Sequence, residues 1–143
     1  MDLVQTIIEL AGGHAPQDWN GNSLMGYLDN SAAPWKDFAV SEYYANSIAS
    51  GFVMIREGSF KYVYHTQADE KHPAQRELYN LKDDPGELSN LANRPEHKER
   101  IAHLHTKLVQ ELGEDPEKTE QRARAELAKG YGRGIAEKPG ADA

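Results

Sequence analysis

Gly51-Phe-Val-Met-Ile-Arg-Glu-Gly-Ser-Phe-Lys-Tyr-Val-Tyr-His65 holds two runs of β-branched and aromatic residues, Phe52 to Arg56 and Phe60 to Tyr64. Glu57-Gly58-Ser59 separates them, and Gly58 can take the positive φ that a tight hairpin turn needs. Alternation puts Phe52 and Met54 on one side of the first run, with Val53 and Ile55 on the other. In the second run Phe60, Tyr62 and Tyr64 share a side, with Lys61, Val63 and His65 opposite. Both faces are largely apolar, where a solvated ribbon would show one polar face. The hairpin is therefore expected inside a sheet packed on two sides.

The chain has 143 residues, enough for one domain or part of a larger one. With 23 acidic and 16 basic residues its formal charge is -7. No basic cluster is long enough to follow a phosphate backbone, which argues against nucleic acid as a partner. The absence of cysteine excludes disulfides, thiolate metal sites and thiol nucleophiles. No apolar run approaches the ~20 residues of a membrane span, so no membrane partner is expected. The N-terminus lacks the basic-then-apolar pattern of a signal peptide. A soluble protein is expected, with cytoplasm and periplasm both open as compartments.

Upstream of the hairpin, Asp2 is placed to cap a helix whose apolar positions are Leu3, Val4, Ile7, Ile8, Leu10 and Ala11, ended by Gly12-Gly13. Ser23 is expected to cap a short helical segment through Leu24, Met25 and Leu28. Trp35 to Tyr44 reads as a strand. Downstream, Gln67 to Gln75 is a polar loop, Leu78-Tyr79-Asn80-Leu81 a short strand, and Asp84-Pro85-Gly86 a turn. A helix begins near Pro95, and Ile101, Leu104, Leu108 and Leu112 mark its stripe. Gly113 stops it. Another helix runs from Pro116 to about Lys129, capped by Asp115. Its apolar positions are only Ala123, Leu127 and Ala128, so it needs a partner or sits in solvent. The Gly-rich segment after Gly130 is expected to be disordered.

The stripe of Ile101 to Leu112 covers one face of the sheet. For the other there is only the short, broadly apolar first helix. Some of the apolar surface is therefore expected to serve protein that is not on this chain.

Asp2-Leu3 with Thr6, and Leu10-Ala11-Gly12, resemble the helix that precedes the C-terminal subdomain of the sulfatase family. Asn20-Gly21 with Ser23-Leu24 is similar to that family's Asp-Gly-x-Ser-Leu turn, with Asn in place of Asp. Glu42-Tyr43, Ile55-Arg56-Glu57-Gly58 and Lys61-Tyr62 resemble the strands of the subdomain. Glu77-Leu78-Tyr79-Asn80-Leu81, Asp84-Pro85, Glu87 and Asn90-Leu91 resemble its Leu-Tyr-Asp-Leu, Asp-Pro-x-Glu and Asn-Leu signature. The resemblance spans about Asp2 to Leu112. Within the family, Glu42-Tyr43 and Met54-Ile55-Arg56 look most like the choline-sulfatase branch, which tends to carry a further acid where this chain has Asn46.

The resemblance implies an α+β fragment of an alkaline-phosphatase-like fold, a three- to four-stranded antiparallel sheet packed by helices. It implies that residues 1–33 belong to the end of a catalytic domain, that 34–112 form the C-terminal subdomain, and that 113–143 are a charged helix and flexible tail. A divalent metal (calcium or magnesium) and a formylglycine made from a Cys/Ser-x-Pro-x-Arg motif would sit on the missing catalytic domain. No such motif and no cofactor site is expected on this chain, which alone is expected to be inactive. Its expected partners are that domain or another copy of itself, as a homo-oligomer. The alternative is a free-standing, non-catalytic binding or oligomerisation module.

Four residues are candidates for the rim of the substrate cleft in the complete enzyme: Glu42, Tyr43, Arg56 and His65. A carboxylate at Glu42 would attract a cationic group; its plainer reading is an ion pair with Lys61 or Arg56. Arg56 can hold a sulfate or carboxylate with two parallel hydrogen bonds, or clamp a carbonyl. His65 ends its strand at the expected rim. Tyr43 belongs to a set of tyrosines whose plainer role is sheet packing. His103 and His105, two apart on a helix, point to different sides and make a poor metal pair.

Overall fold

A computed structural model describes residues 2–19, 21–45 and 48–130. Asn20, Asn46 and the tail after Gly130 lie outside the described residues. The chain forms two compact units, residues 1–36 and 37–143. No helix among the described residues is long and apolar enough to cross a membrane.

The first unit holds helix α1 (Asp2–Leu10) and helix α2 (Met25–Asp29). Asp2 does not act as a cap before the helix. It lies in the first turn, where its carboxylate accepts from the Asn22 N–H at 2.9 Å and holds its acidity stronger than usual. Thr6 is the buried residue of α1. Its hydroxyl donates to the Asp2 carbonyl at 2.7 Å and accepts from the Leu24 N–H at 2.8 Å. Leu3, Ile7 and Leu10, on one stripe of the helix, are exposed.

The second unit is an antiparallel sheet in the order β1 (Phe38–Tyr43), β2 (Phe52–Glu57), β3 (Phe60–His65), β4 (Gln75–Asn80). Strands β2 and β3 join through Gly58-Ser59, with Glu57 opposite Phe60 and Gly58 at φ 56°. A glycine with positive φ at the first of two turn residues suits the right-handed twist of the arms. The register aligns Val40, Ile55, Tyr62 and Leu78 across all four strands. Helix α3 (Lys98–Leu112), entered through a 3-10 turn at Pro95–His97, lays Leu104 and Leu108 on this row. Val53, Ile55, Tyr62, Tyr64, Leu78, Leu104 and Leu108 form the buried core. Burying a side chain of this size contributes about 1.5–3 kcal/mol.

Strand β4 begins at Gln75, three residues ahead of the apolar run at Leu78. An edge strand tolerates polar residues, so Gln75, Arg76 and Glu77 gave no apolar signal. The segment after β4 stitches that edge. The Asn90 side chain accepts from the Leu78 N–H at 3.1 Å and donates to the Arg76 carbonyl at 3.1 Å. The Leu91 N–H donates to the Leu78 carbonyl at 2.8 Å. Asp84 forms the expected turn, its carboxylate accepting from the N–H groups of Leu88 and Ser89.

Helix α4 (Pro116–Ala128) starts as expected, with Asp115 accepting from the Glu117 N–H at 2.9 Å. It has a partner within this chain: Glu120 accepts from the Gly51 N–H and Glu117 from the Gln67 N–H. The buried residues of α4 are Pro116 and a charged one, Glu120.

Candidate functional site

The face of the sheet turned away from α3 carries Tyr43, Phe52, Met54, Arg56, Lys61, Val63, His65, Glu77 and Tyr79, because successive side chains alternate. Tyr43 and Phe52 are partners in register, and their rings stack with centroids 5.7 Å apart. Phe52 lies 6.1 Å from the His65 ring. Tyr43 is 41% exposed and Phe52 36%, so this aromatic ladder has little cover. Beside it a shallow groove is lined by Ser41, Met54, Val63 and Glu77 together with Phe52, Lys61 and His65.

The polar groups on this face are paired in sequence. His65 Nε2 lies 2.9 Å from Glu77 Oε1, and the Tyr79 hydroxyl donates to Glu77 Oε2 at 3.0 Å. The Lys61 ammonium lies 2.6 Å from Glu87. Arg56 faces Lys61 in register, and two cations so placed repel unless one is neutralised. Glu87 does this for Lys61. Arg56 is exposed and makes no ion pair among the described residues. The face is thus apolar at its centre and cationic at Arg56.

Three of the four candidate residues, Tyr43, Arg56 and His65, share this face; Glu42 lies on the opposite one, in register with Val53. That geometry removes the pairing of Glu42 with Lys61 or Arg56, whose side chains leave the sheet the other way. Glu42 instead acts on Tyr44, whose hydroxyl is buried and makes no hydrogen bond among the described residues. Burial, then the Glu42 charge, push the Tyr44 ionisation well above the usual tyrosine range.

On the covered face Tyr62 and Tyr64 serve packing. The Tyr62 hydroxyl lies 3.0 Å from His105 Nδ1, and burial holds the His105 pKa below its ordinary value. The Tyr64 hydroxyl donates to Glu117 at 2.8 Å. His103 and His105 diverge, His103 meeting Glu57 at 2.9 Å. Among the described residues no three His, Asp or Glu side chains stand where they could hold a metal ion. The chain also has no cysteine. The sequence holds no Cys/Ser-x-Pro-x-Arg motif.

A second constellation had no signal in apolar periodicity. Glu117, Glu120 and Arg124 lie three and four residues apart on α4 and share one face. Glu120, 2% exposed, accepts from the backbone N–H groups of Ala45 and Gly51, and Arg124 braces it at 2.6 Å. The available clue was negative: a helix with so few apolar positions has to anchor through polar ones.

A four-stranded antiparallel sheet packed by helices matches the C-terminal domains of solved sulfatases. One such structure, BT4656 in complex with its substrate D-glucosamine-2-N,6-O-disulfate, superposes with a TM-score of 0.68 at 26% identity, over 81% of this chain and 25% of that one. Residues 1–114 match the family described as N-sulphoglucosamine sulphohydrolase, C-terminal, and the chain belongs to it. An arylsulfatase of Clostridium perfringens is 28% identical over 111 residues, covering 78% of this chain and 22% of its own length. Arylsulfatase K of Xenopus laevis is 30% identical over 116 residues, covering 76% and 21%. The chain therefore spans about a fifth of the length of these relatives.

Proposed function

We propose that this chain is the C-terminal part of a sulfuric ester hydrolase, in which it supports the fold and rims the substrate cleft without supplying the catalytic groups. One observation carries the reading: a chain of this family spans about a fifth of its arylsulfatase relatives and offers no metal donor set among its described residues. In the assembled enzyme the bare face with Tyr43, Phe52 and Met54 packs against the catalytic half. Arg56 then presents a charge suited to a sulfate oxygen at the rim. His65, held by Glu77, joins the rim on this face, and Glu42 would reach it only from the other side of the β1 end. The finer placement, in the choline-sulfatase branch, rests on Glu42-Tyr43 and Met54-Ile55-Arg56. That branch tends to carry a further acid where this chain has Asn46, so the likeness does not name choline O-sulfate as the substrate. The divalent metal and formylglycine belong to the catalytic half.

The test has two arms. The chain alone is incubated with 4-nitrophenyl sulfate, and hydrolysis above the buffer rate refutes the absence of a catalytic centre. The polypeptide read from the upstream frame is then assayed with choline O-sulfate, 4-nitrophenyl sulfate and glucosamine 6-O-sulfate. Preference for the first supports the branch; preference for either of the others refutes it.

The exposed Leu3, Ile7 and Leu10 of α1 favour a second reading, a free-standing module that associates with its own copies. A strictly monomeric mass at high concentration refutes it.

A further inference from the structure

Residues 44–51 join β1 to β2, and their described backbone is gripped from α4 at both ends and between. Glu120 Oε2 accepts from the Ala45 N–H at 3.0 Å, and Oε1 accepts from the Gly51 N–H at 3.1 Å. Arg124 donates to the carbonyls of Ala49 at 2.8 Å and Ile48 at 3.2 Å. One turn earlier, Glu117 accepts from the Tyr64 hydroxyl and from the Gln67 N–H at 3.0 Å, next to the end of β3. The backbone is built to this contact. Ala45 takes a φ of 56°, the left-handed conformation that a residue with a side chain seldom adopts. A Cβ on Gly51 would stand 2.7 Å from Glu120 Oε2 and 2.7 Å from Tyr44 Cδ1, so the carboxylate can approach only glycine there.

A buried ion is a poor source of stability, since apolar side chains in its place often hold a fold as well or better. What a carboxylate bonded to two backbone N–H groups does supply is a fixed geometry. The two amides it holds lie two residues after Tyr43 and one before Phe52, the stacked pair at the end of the bare face. The family match ends at residue 114, before α4 begins at Pro116, so the α4 side of the clasp lies outside the matched region, while the connection it grips lies inside it.

We infer that Glu120 is a positioning residue: through it α4 clasps the β1–β2 connection, holds the Tyr43–Phe52 stack in one shape, and sets which sulfate esters the rim admits. The last clause rests on the functional reading above.

Amide hydrogen exchange on the full chain, read residue by residue by NMR, tests the clasp. In Glu120→Ala, exchange at Ala45 and Gly51 is expected to speed up roughly ten- to hundredfold, as when hydrogen bonds to a charged group are lost. Glu120→Gln, which keeps one acceptor, falls between. Amides of Tyr62 and Leu78 in the middle of the sheet keep their protection, and ring contacts between Tyr43 and Phe52 weaken. Unchanged exchange at Ala45 and Gly51 overturns the inference. So does a loss shared equally by Tyr62 and Leu78, which makes Glu120 a residue of general stability. Should Glu120→Ala fail to fold, Glu120→Gln decides by the same readout.

In the longer polypeptide carrying the catalytic half, Glu120→Gln is expected to raise KM for the preferred ester roughly fivefold with kcat nearly unchanged. A matched fall in kcat, or an unmoved KM, overturns the role at the rim. A longer polypeptide inactive on every sulfate ester counts against the functional reading instead, and the exchange experiment still decides whether Glu120 positions the connection.

Discussion

Ile55 and Met54 are neighbours on β2 that face opposite sides of the sheet, so a pair of alanine substitutions weighs the two faces against each other. Ile55 is fully buried against the α3 side, whereas Met54 is half-buried on the bare side. Ile55→Ala removes three carbons, about 2.4 kcal/mol at ~0.8 kcal/mol for each buried methylene. The cavity left under Leu104 and Leu108 raises the loss to about 3–4 kcal/mol. Met54→Ala removes a side chain that is already partly in water, and its loss is about 1 kcal/mol. Against a total of about 5–15 kcal/mol for a folded domain, the first change is severe and the second mild. Urea denaturation followed by circular dichroism reads both. With a slope of ~2 kcal/mol/M the midpoints fall by roughly 1.5–2 M and 0.5 M. Equal losses from the two variants would show the bare face to be as well packed as the covered one, and the proposed docking of a catalytic half on it would fail.

Gly51→Ala forces a Cβ to within 2.7 Å of Glu120 and Tyr44, and a loss of about 1–3 kcal/mol is expected in the same urea experiment. A neutral outcome means that the close approach is not tight. Asp115→Ala removes the cap of α4 and is expected to cost about 1 kcal/mol, read as faster amide exchange along residues 116–128 with the sheet unaffected. Glu57 is hydrogen-bonded to Lys107 and to His103, and these partners hold its carboxyl below the usual range. A lowered folded-state pKa gives stability that is present above the unfolded value, near 4.5, and lost as pH falls through the folded value. The thermal midpoint of Glu57→Gln should thus lie below that of the unsubstituted chain at neutral pH, and the two should converge in acid. A constant gap from neutral to strongly acid pH refutes the ion pair's contribution.

The pairing of Phe52–Glu57 with Phe60–His65, the turn at Gly58, and the division of side chains between two faces were legible because strand alternation is local and has a period of two. The stripe of α3 and the cap of α4 were legible for the same reason, being set by residues three and four apart. The signature after β4 was legible as a pattern, but its work, Asn90 and Leu91 closing the edge of β4, needed coordinates. Of the candidate residues, alternation separated Glu42 from Tyr43. Only the register put Tyr43, Arg56 and His65 on one face and left Arg56 without the acid that Lys61 has in Glu87. The clasp was out of reach. Glu120 meets Gly51 across 69 positions of sequence and Ala45 across 75. Apolar periodicity says where a helix will be buried by its greasy side chains, and nothing about a helix buried by a carboxylate. Local chemistry therefore fixed the strands, the turns and the helix ends. The folded chain decided which charges found partners, because that depends on contacts between residues far apart in sequence.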